Sequence, residues 1–150
     1  EAIADLETVI KMPPENLNAY TLYQSFETLA LVYSQTGQLE KAEENLREAR
    51  NRLPIYAAAL TEKLAVVLYQ KGDKAAALRE LEAVREQAKK EFLPESKTVF
   101  LRLGMLYAES GRKAEARTVL QEYLNLTAKL KDNLTLSDRQ QAVNLLRNLQ

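Results

Sequence analysis

The 150-residue chain contains no histidine, no cysteine and no tryptophan. Without Cys or His, a structural zinc site has no ligands and a thiol nucleophile is excluded. Without His, the side chain that titrates unassisted near neutral pH is missing, and no Ser-His-Asp set can form. Disulfides are excluded too, so cysteine usage says nothing about redox compartment. No glycine-rich phosphate loop is present. These absences predict a protein that is not an enzyme and that uses no metal and no cofactor. Proline and glycine are scarce, at four each, which suits an all-helical chain. No apolar run approaches the roughly 18 residues needed to cross a bilayer, so no membrane insertion is expected. No basic-plus-apolar leader stands at the start. The chain opens on Glu1 inside a helical pattern, which reads as an N-terminal trim. The compartment stays open on this reading: a cytoplasmic chain is favoured, and a periplasmic or secreted one follows if a leader was removed.

Hydrophobic residues make up 46% and charged residues 28%, the balance of a globular chain. At this length that means one domain or one solenoid of a few repeats. Net charge is zero. Glu1, Asp5, Glu7, Glu15 and Glu27 outweigh Lys11 at one end. Arg112, Lys113, Arg117, Lys129, Lys131, Arg139 and Arg147 outweigh Glu115, Glu122, Asp132 and Asp138 at the other. Such a gradient favours head-to-tail contacts or is a plain solvated surface.

One pattern occurs three times. Phe26, Leu29, Ala30, Tyr33, Gly37, Ala42, Leu46, Ala49 and Pro54 form the clearest copy. Leu64, Ala65, Leu68, Gly72, Ala77, Leu81 and Val84 form the second. Phe100, Leu103, Gly104, Tyr107, Gly111, Ala116, Leu120 and Tyr123 form the third. The glycines recur after 35 and then 39 residues, and self-similarity at such a period marks a stacked repeat protein. Each copy reads as two helices around a tight turn, with Gly37 free to take positive φ. One hairpin cannot bury its stripe on both sides, so neighbours must stack.

The helices are predicted at about 17–35, 39–52, 56–70, 74–92, 95–109 and 113–131. Glu43–Arg47 and Glu48–Arg52 are i,i+4 pairs on the second of these. Lys89 stands where the first copy has Pro54, so that helix runs on through Ala88 and Phe92 until Pro94. Residues 1–14, with Ala2, Leu6 and Val9 before Met12-Pro13-Pro14, match the second helix of a repeat whose first helix is missing. Ser137-Asp138-Arg139-Gln140 has the pattern of a capping box. It opens a last helix, 137–149, whose apolar face holds Ala142, Leu145, Leu146 and Leu149.

These residues resemble the tetratricopeptide repeat, whose period is about 34 residues. The resemblance covers essentially the whole chain. It implies an all-α, right-handed superhelical solenoid of helix hairpins with repeats at 23–56, 58–91 and 97–130 and a C-terminal capping helix. The chain departs from the family pattern in three places. Thr61 stands where Phe26 and Phe100 stand, Leu68 stands for the tyrosine, and the terminal proline is missing from the second and third copies.

The resemblance further implies that the first helix of each pair lines a concave groove. Groove positions are then Gln24, Glu27, Thr28, Leu31 and Gln35; Ala59, Glu62, Lys63, Val66 and Gln70; Thr98, Leu101, Arg102, Met105 and Glu109. Leu31, Val66 and Met105 hold equivalent places and form an apolar strip flanked by charge. That strip suits the apolar face of a bound helix or an extended peptide with hydrophobic anchors. The expected function is a scaffold that binds a protein or peptide partner, as part of a larger protein. A homo-oligomer stacking through an exposed N-terminal helix is the alternative.

Paired carboxylates such as Glu43 with Glu44 and Glu80 with Glu82 fall on the outward face, where solvated charge explains them. Zero net charge and few groove cations argue against nucleic acid. Two sequons, at Asn125 and Asn133, read as chance. One subclass of the family clamps acidic C-terminal tails with Lys and Asn side chains. At its five positions this chain has Glu27, Leu31, Lys63, Thr98 and Arg102, of which Arg102 alone agrees. An acidic C-terminal peptide is therefore expected to show no measurable affinity in a fluorescence anisotropy titration.

Overall fold

The computed structural model describes residues 2–13, 17–90 and 94–150. Among them are eight α-helices and no strand. The helices are α1 (Ala2–Lys11), α2 (Ala19–Gln35), α3 (Leu39–Arg52), α4 (Ala57–Gln70), α5 (Lys74–Lys90), α6 (Thr98–Glu109), α7 (Lys113–Leu126) and α8 (Asn133–Asn148). Single 3₁₀ turns, Pro54–Tyr56 and Pro94–Ser96, precede α4 and α6.

The first helix of each pair ends in the same way. Gly37, Gly72 and Gly111 have φ of 76°, 88° and 74°. The amide of Gln38 donates to the Tyr33 carbonyl at 2.8 Å, and that of Gly37 to Ser34 at 3.2 Å. Asp73 to Leu68 with Gly72 to Tyr69, and Arg112 to Tyr107 with Gly111 to Ala108, repeat this pair of bonds. Each is a Schellman closure, which satisfies the last carbonyls and turns the chain into the next helix. The hairpins are thus α2–α3, α4–α5 and α6–α7, and α3, α5 and α7 each pack on the first helix that follows. First helices also touch directly in the series α2, α4, α6, α8. This is the architecture of an α-α solenoid with one continuous core from Ile10 to Leu149.

Repeat-signature residues form that core. Phe26, Leu46, Ala65, Leu81, Phe100, Leu103, Leu120 and Tyr123 are all essentially inaccessible. Thr61, in the place of a large aromatic, is also buried, and its hydroxyl accepts from the Arg50 guanidinium at 3.4 Å. Val84 is half-buried. In α1, Ile10 is buried and Ile3 and Leu6 pack on the core, while Ala4, Asp5, Thr8 and Lys11 face solvent.

The starts of α2, α4, α6 and α8 and the end of α7 differ from the sequence reading. The first helices begin later, α2 behind an Asn18 cap that accepts from the Thr21 amide at 2.7 Å. α5 has 17 residues against 14 in α3, with Ala88 buried; Phe92 lies outside the described residues. α7 stops at Leu126 instead of running to 131. The Thr127 hydroxyl donates back to the Tyr123 carbonyl at 2.7 Å, and Arg139 donates to the Leu124 carbonyl and to Thr127 Oγ1. The side chains of Thr127 and Arg139 thus take over from the helix's own ladder. α8 starts at Asn133, four residues before the expected capping box. Its cap is Asp132, which accepts from the Thr135 amide at 2.8 Å and the Thr135 hydroxyl at 2.6 Å. Lys97 on the approach to α6 donates to the same hydroxyl, so tertiary contact selects Asp132 over Ser137.

Outward carboxylates are partnered rather than merely solvated. Glu80 of α5 binds Arg47 at 3.0 Å and Arg50 at 2.6 Å, both from α3. Glu122 of α7 binds Arg85 at 2.8 Å and Lys89 at 3.2 Å, both from α5. Burial raises the Glu80 and Glu122 carboxyls, but these cations outweigh it and hold both below the usual carboxylate range. Glu82 accepts from Arg112 and from the Tyr107 hydroxyl, each at 2.9 Å. Within α3, Glu43–Arg47 and Glu48–Arg52 pair at 2.9 and 3.2 Å.

Two kinds of glycine follow from this geometry. A Cβ on Gly104 would lie 2.5 Å from Leu120 Cγ and Cδ2, whereas one on Gly37 meets nothing within 4 Å. Gly104→Val should cost about 1–3 kcal/mol by overpacking, and the loss should shrink in a Leu120→Ala background because the two residues share one space. Gly37→Ala should cost about 1 kcal/mol through φ alone, unchanged by Leu120→Ala. Urea unfolding of the three single variants and the two doubles with Leu120→Ala checks both statements.

Candidate functional site

Positions on α2, α4 and α6 that are not spent on the core face a common hollow. Glu27, Thr28 and Leu31 of α2, Glu62, Lys63, Val66 and Gln70 of α4, and Arg102 of α6 line a cavity of about 350 Å³. Ala30, Ser34, Leu46 and Val67 complete its wall. Beside it, Val66, Tyr69, Arg102, Met105, Leu106 and Glu109 line a smaller hollow of about 110 Å³. Val66 and Arg102 belong to both, so Leu31, Val66 and Met105 fall along one groove. Leu31 is 55% exposed; Val66 and Met105 are half-buried.

The remaining anticipated positions lie elsewhere. Gln24 and Gln35 are exposed on α2 but line neither hollow. Leu101 is a correction: it is 6% exposed and belongs to the core, as does Ala59. Thr98 is half-buried, with Oγ1 enclosed and unpartnered. α8 packs on α6. Ser34, Val67 and Tyr69 are additions. They follow Leu31, Lys63 and Val66 by three or four residues, so helical spacing alone would have found them. Gln141 of α8, inside the last helix that the sequence predicts, is a further addition, its amide approaching the Met105 sulfur at 3.7 Å.

The groove floor is ionic. Glu62 is 2% exposed and accepts from Arg102 Nε at 3.1 Å. Lys63 Nζ lies 3.4 Å from Glu62 and 3.2 Å from Glu27. Tyr23 donates its hydroxyl to Glu27 at 3.3 Å, and burial, reinforced by that carboxylate, pushes the phenol far above its ordinary range. Burial pulls the Lys63 ammonium down, but Glu62 and Glu27 outweigh it and leave it above the ordinary lysine value. Asp138 of α8 is raised by burial, with Lys97 opposing. The cavity therefore contains two anions and two cations, each within reach of an opposite charge. Of the positions that would clamp an acidic tail, Glu27 and Leu31 have the wrong chemistry, and Lys63 and Arg102 are engaged by Glu62.

Among the described residues, no group of three or more Asp or Glu could hold a metal ion. No helix is long and apolar enough to cross a membrane.

Removing Glu62 would leave Arg102 without its partner, while Lys63 keeps Glu27. Breaking a fully buried pair costs about 3–5 kcal/mol. Lys63 and Arg102 are more than one third exposed, so water recovers part of that. Glu62→Ala should thus destabilise by about 1–3 kcal/mol, and Glu62→Gln, which keeps an acceptor, by less, as measured by urea unfolding.

Comparison with known proteins agrees with this geometry. The sequence profile of the tetratricopeptide repeat matches residues 27–83 and 62–133. A search of curated sequences finds no match. Among solved structures, the Yersinia enterocolitica type III secretion chaperone SycD, in complex with a peptide of the translocator YopD, is similar at 19% identity and a TM-score of 0.65. The match covers 86% of this chain and 92% of that one. A Podospora anserina putative kinesin light chain with TPR-like repeats is similar at 23% identity and a TM-score of 0.60, over 84% of this chain and 72% of that one. MamA is similar at 18% identity and a TM-score of 0.58, over 98% and 84%. At such identities the structures establish a shared fold, while the profile spans most of the chain. The chain belongs to the tetratricopeptide repeat family.

Proposed function

We propose that this chain is a protein-binding scaffold that takes a peptide or helical segment of a partner in its concave groove. The family fold is one of protein–protein interaction, and SycD, a structural relative, is solved with a peptide. The observation that carries the proposal is Leu31. It is a large apolar side chain left 55% exposed, and it stands on the wall of the 350 Å³ cavity rather than scattered on the convex surface. Pockets that bind ligands are concave, mostly apolar, and fixed by a few polar groups, and this cavity has that composition.

The test is affinity capture from a lysate of the source cells with the wild-type chain and with Leu31→Glu, Val66→Glu and Met105→Glu combined. A partner lost by the triple variant at unchanged helicity supports the groove. A partner kept equally by both moves the site to the convex face or the ends. Recovery of the chain alone favours assembly through the ends, for which Leu136 and Val143, exposed on α8, supply apolar contact.

A further inference from the structure

Among the described residues, four tyrosine hydroxyls of the first helices donate to a carboxylate: Tyr23 to Glu27, Tyr33 to Glu7, Tyr69 to Glu109 and Tyr107 to Glu82. In three of these units a cation also covers the ring. Lys41 Nζ lies 5.6 Å from the Tyr33 ring centre, Lys74 Nζ 4.9 Å from that of Tyr69, and the Arg112 guanidinium 4.4 Å from that of Tyr107. At Tyr69 and Tyr107 the same cation also pairs with the same carboxylate, Lys74 with Glu109 at 3.0 Å and Arg112 with Glu82 at 2.9 Å. A cation placed over the negative face of a ring and against a carboxylate is attracted by both.

Tyr23 departs from that pattern. Its ring stacks with Tyr20 at 6.1 Å and with Tyr56 at 4.6 Å, and those two rings are 6.3 Å apart. Among the described residues, no Lys or Arg covers any of the three. Tyr20 is 46% exposed and Tyr56 is half-buried, so the outer side of the cluster is open. Ile55, next to Tyr56, is exposed as well.

The surroundings of the cluster are negative. Burial pushes the Tyr23 phenol up, and the carboxylates of Glu27, Glu95 and Glu62 push it the same way. Glu27 and Glu62 have cations of their own in Lys63 and Arg102. Glu95 does not. It lies on the 3₁₀ turn before α6, is half-buried, and makes no hydrogen bond or ion pair among the described residues. That turn packs on α4, the helix that Tyr56 precedes. Tyrosine faces and a carboxylate are the two parts that hold Arg112 elsewhere; here no described side chain of the chain supplies the cation.

The cation that fits is a guanidinium carried by a larger molecule. Neither hollow is lined by Tyr20, Tyr23, Tyr56 or Glu95, and on an open surface a ring and one carboxylate bind a free cation weakly. A partner protein supplies the remaining contact, for which Ile55 offers apolar area. Arginine suits the cluster better than lysine. Its planar group stacks on aromatic faces, is less strongly hydrated than an ammonium, and keeps donors free for a carboxylate.

We infer that the Tyr20–Tyr23–Tyr56 cluster is a second interaction surface, outside the cavity, that receives an arginine side chain of a partner protein over its open face and pairs it with Glu95. The surface is independent of the groove: either can fail while the other stands.

The probe is N-acetyl-arginine N-methylamide, with its lysine and citrulline counterparts, titrated at constant ionic strength into the chain isotope-labelled on its tyrosine rings and followed by NMR. Tyr33, Tyr69 and Tyr107, which already carry cations, are internal controls. The Tyr20 and Tyr56 signals should shift saturably with a Kd on the order of 10 mM, while the controls stay still. Citrulline, which keeps the shape without the charge, should bind about tenfold more weakly, and lysine several-fold more weakly. Glu95→Gln and Tyr20→Leu, with helicity checked by circular dichroism, should each weaken arginine several-fold. The peptide Ac-Leu-Arg-Leu-NH2 should bind several-fold tighter than the single residue. Absence of shifts at Tyr20 and Tyr56, citrulline equal to arginine, or binding indifferent to both substitutions overturns the inference. Lysine equal to arginine overturns the choice of guanidinium, and no gain from the peptide overturns the choice of a protein partner.

Discussion

The structure depends on how closely the two helix backbones of each hairpin approach. At Gly104 no side chain intervenes, and Leu120 of the partner helix occupies the space that a Cβ would need. Ala30 and Ala65 hold the matching places in the other hairpins, and Ala42, Ala77 and Ala116 do so from the second helices, all of them buried. Small residues on one helix let large ones on the other seat at native packing density. A hairpin closed this tightly leaves apolar side chains on both of its flanks. Stacking is then obligatory, because only a neighbouring hairpin can cover them.

The two rows of helices are joined in different ways. First helices contact each other directly, α2 with α4, α4 with α6, and α6 with α8. Second helices are bridged at the surface by long side chains, Arg47 and Arg50 to Glu80, then Arg85 and Lys89 to Glu122. The first-helix row is thus joined by direct packing, and the second-helix row is tied across the repeats by ion pairs. Individual pairs of this kind contribute little at a surface. Their arrangement in shared, half-buried clusters is what lets them tie one repeat to the next while the core sets the register.

Periodicity carried the architecture into the sequence because packing repeats whenever the hairpin repeats. The spacing of Ala30, Gly37 and Ala42 is a direct image of a helix, a left-handed turn and a second helix in contact. Leu31, Val66 and Met105 are the residues that the packing pattern leaves over, and they line the two adjoining hollows. What escaped that logic was tertiary. Leu101 reads as a groove residue by its phase on α6, yet it is buried in the core. Ser137 reads as a cap by its local pattern, yet Asp132 wins because Thr135 binds it and Lys97 at once. No local rule contains Lys97, which lies 38 residues away from Thr135 in the chain. The ionic outer face was misread as solvated for the same reason, since Glu80 and its arginines lie in different repeats.

Glu62 shows how one position of the repeat connects the core to the cavity. Its counterparts are Glu27, half-buried on α2, and Leu101, a core residue of α6, so burial at this position differs from repeat to repeat. Placing a carboxylate there demands cations, and Lys63 and Arg102 meet that demand from two different helices. The cations that would otherwise attract an acidic ligand are thereby consumed within the protein. Glu27 holds Lys63 from the third helix and completes the balance. The four charges on the cavity wall thus sum to zero, and each lies beside an opposite one. Against an apolar residue at the same position a buried ion cluster adds little stability, whereas deleting its carboxylate alone is costly because Arg102 is left without a partner.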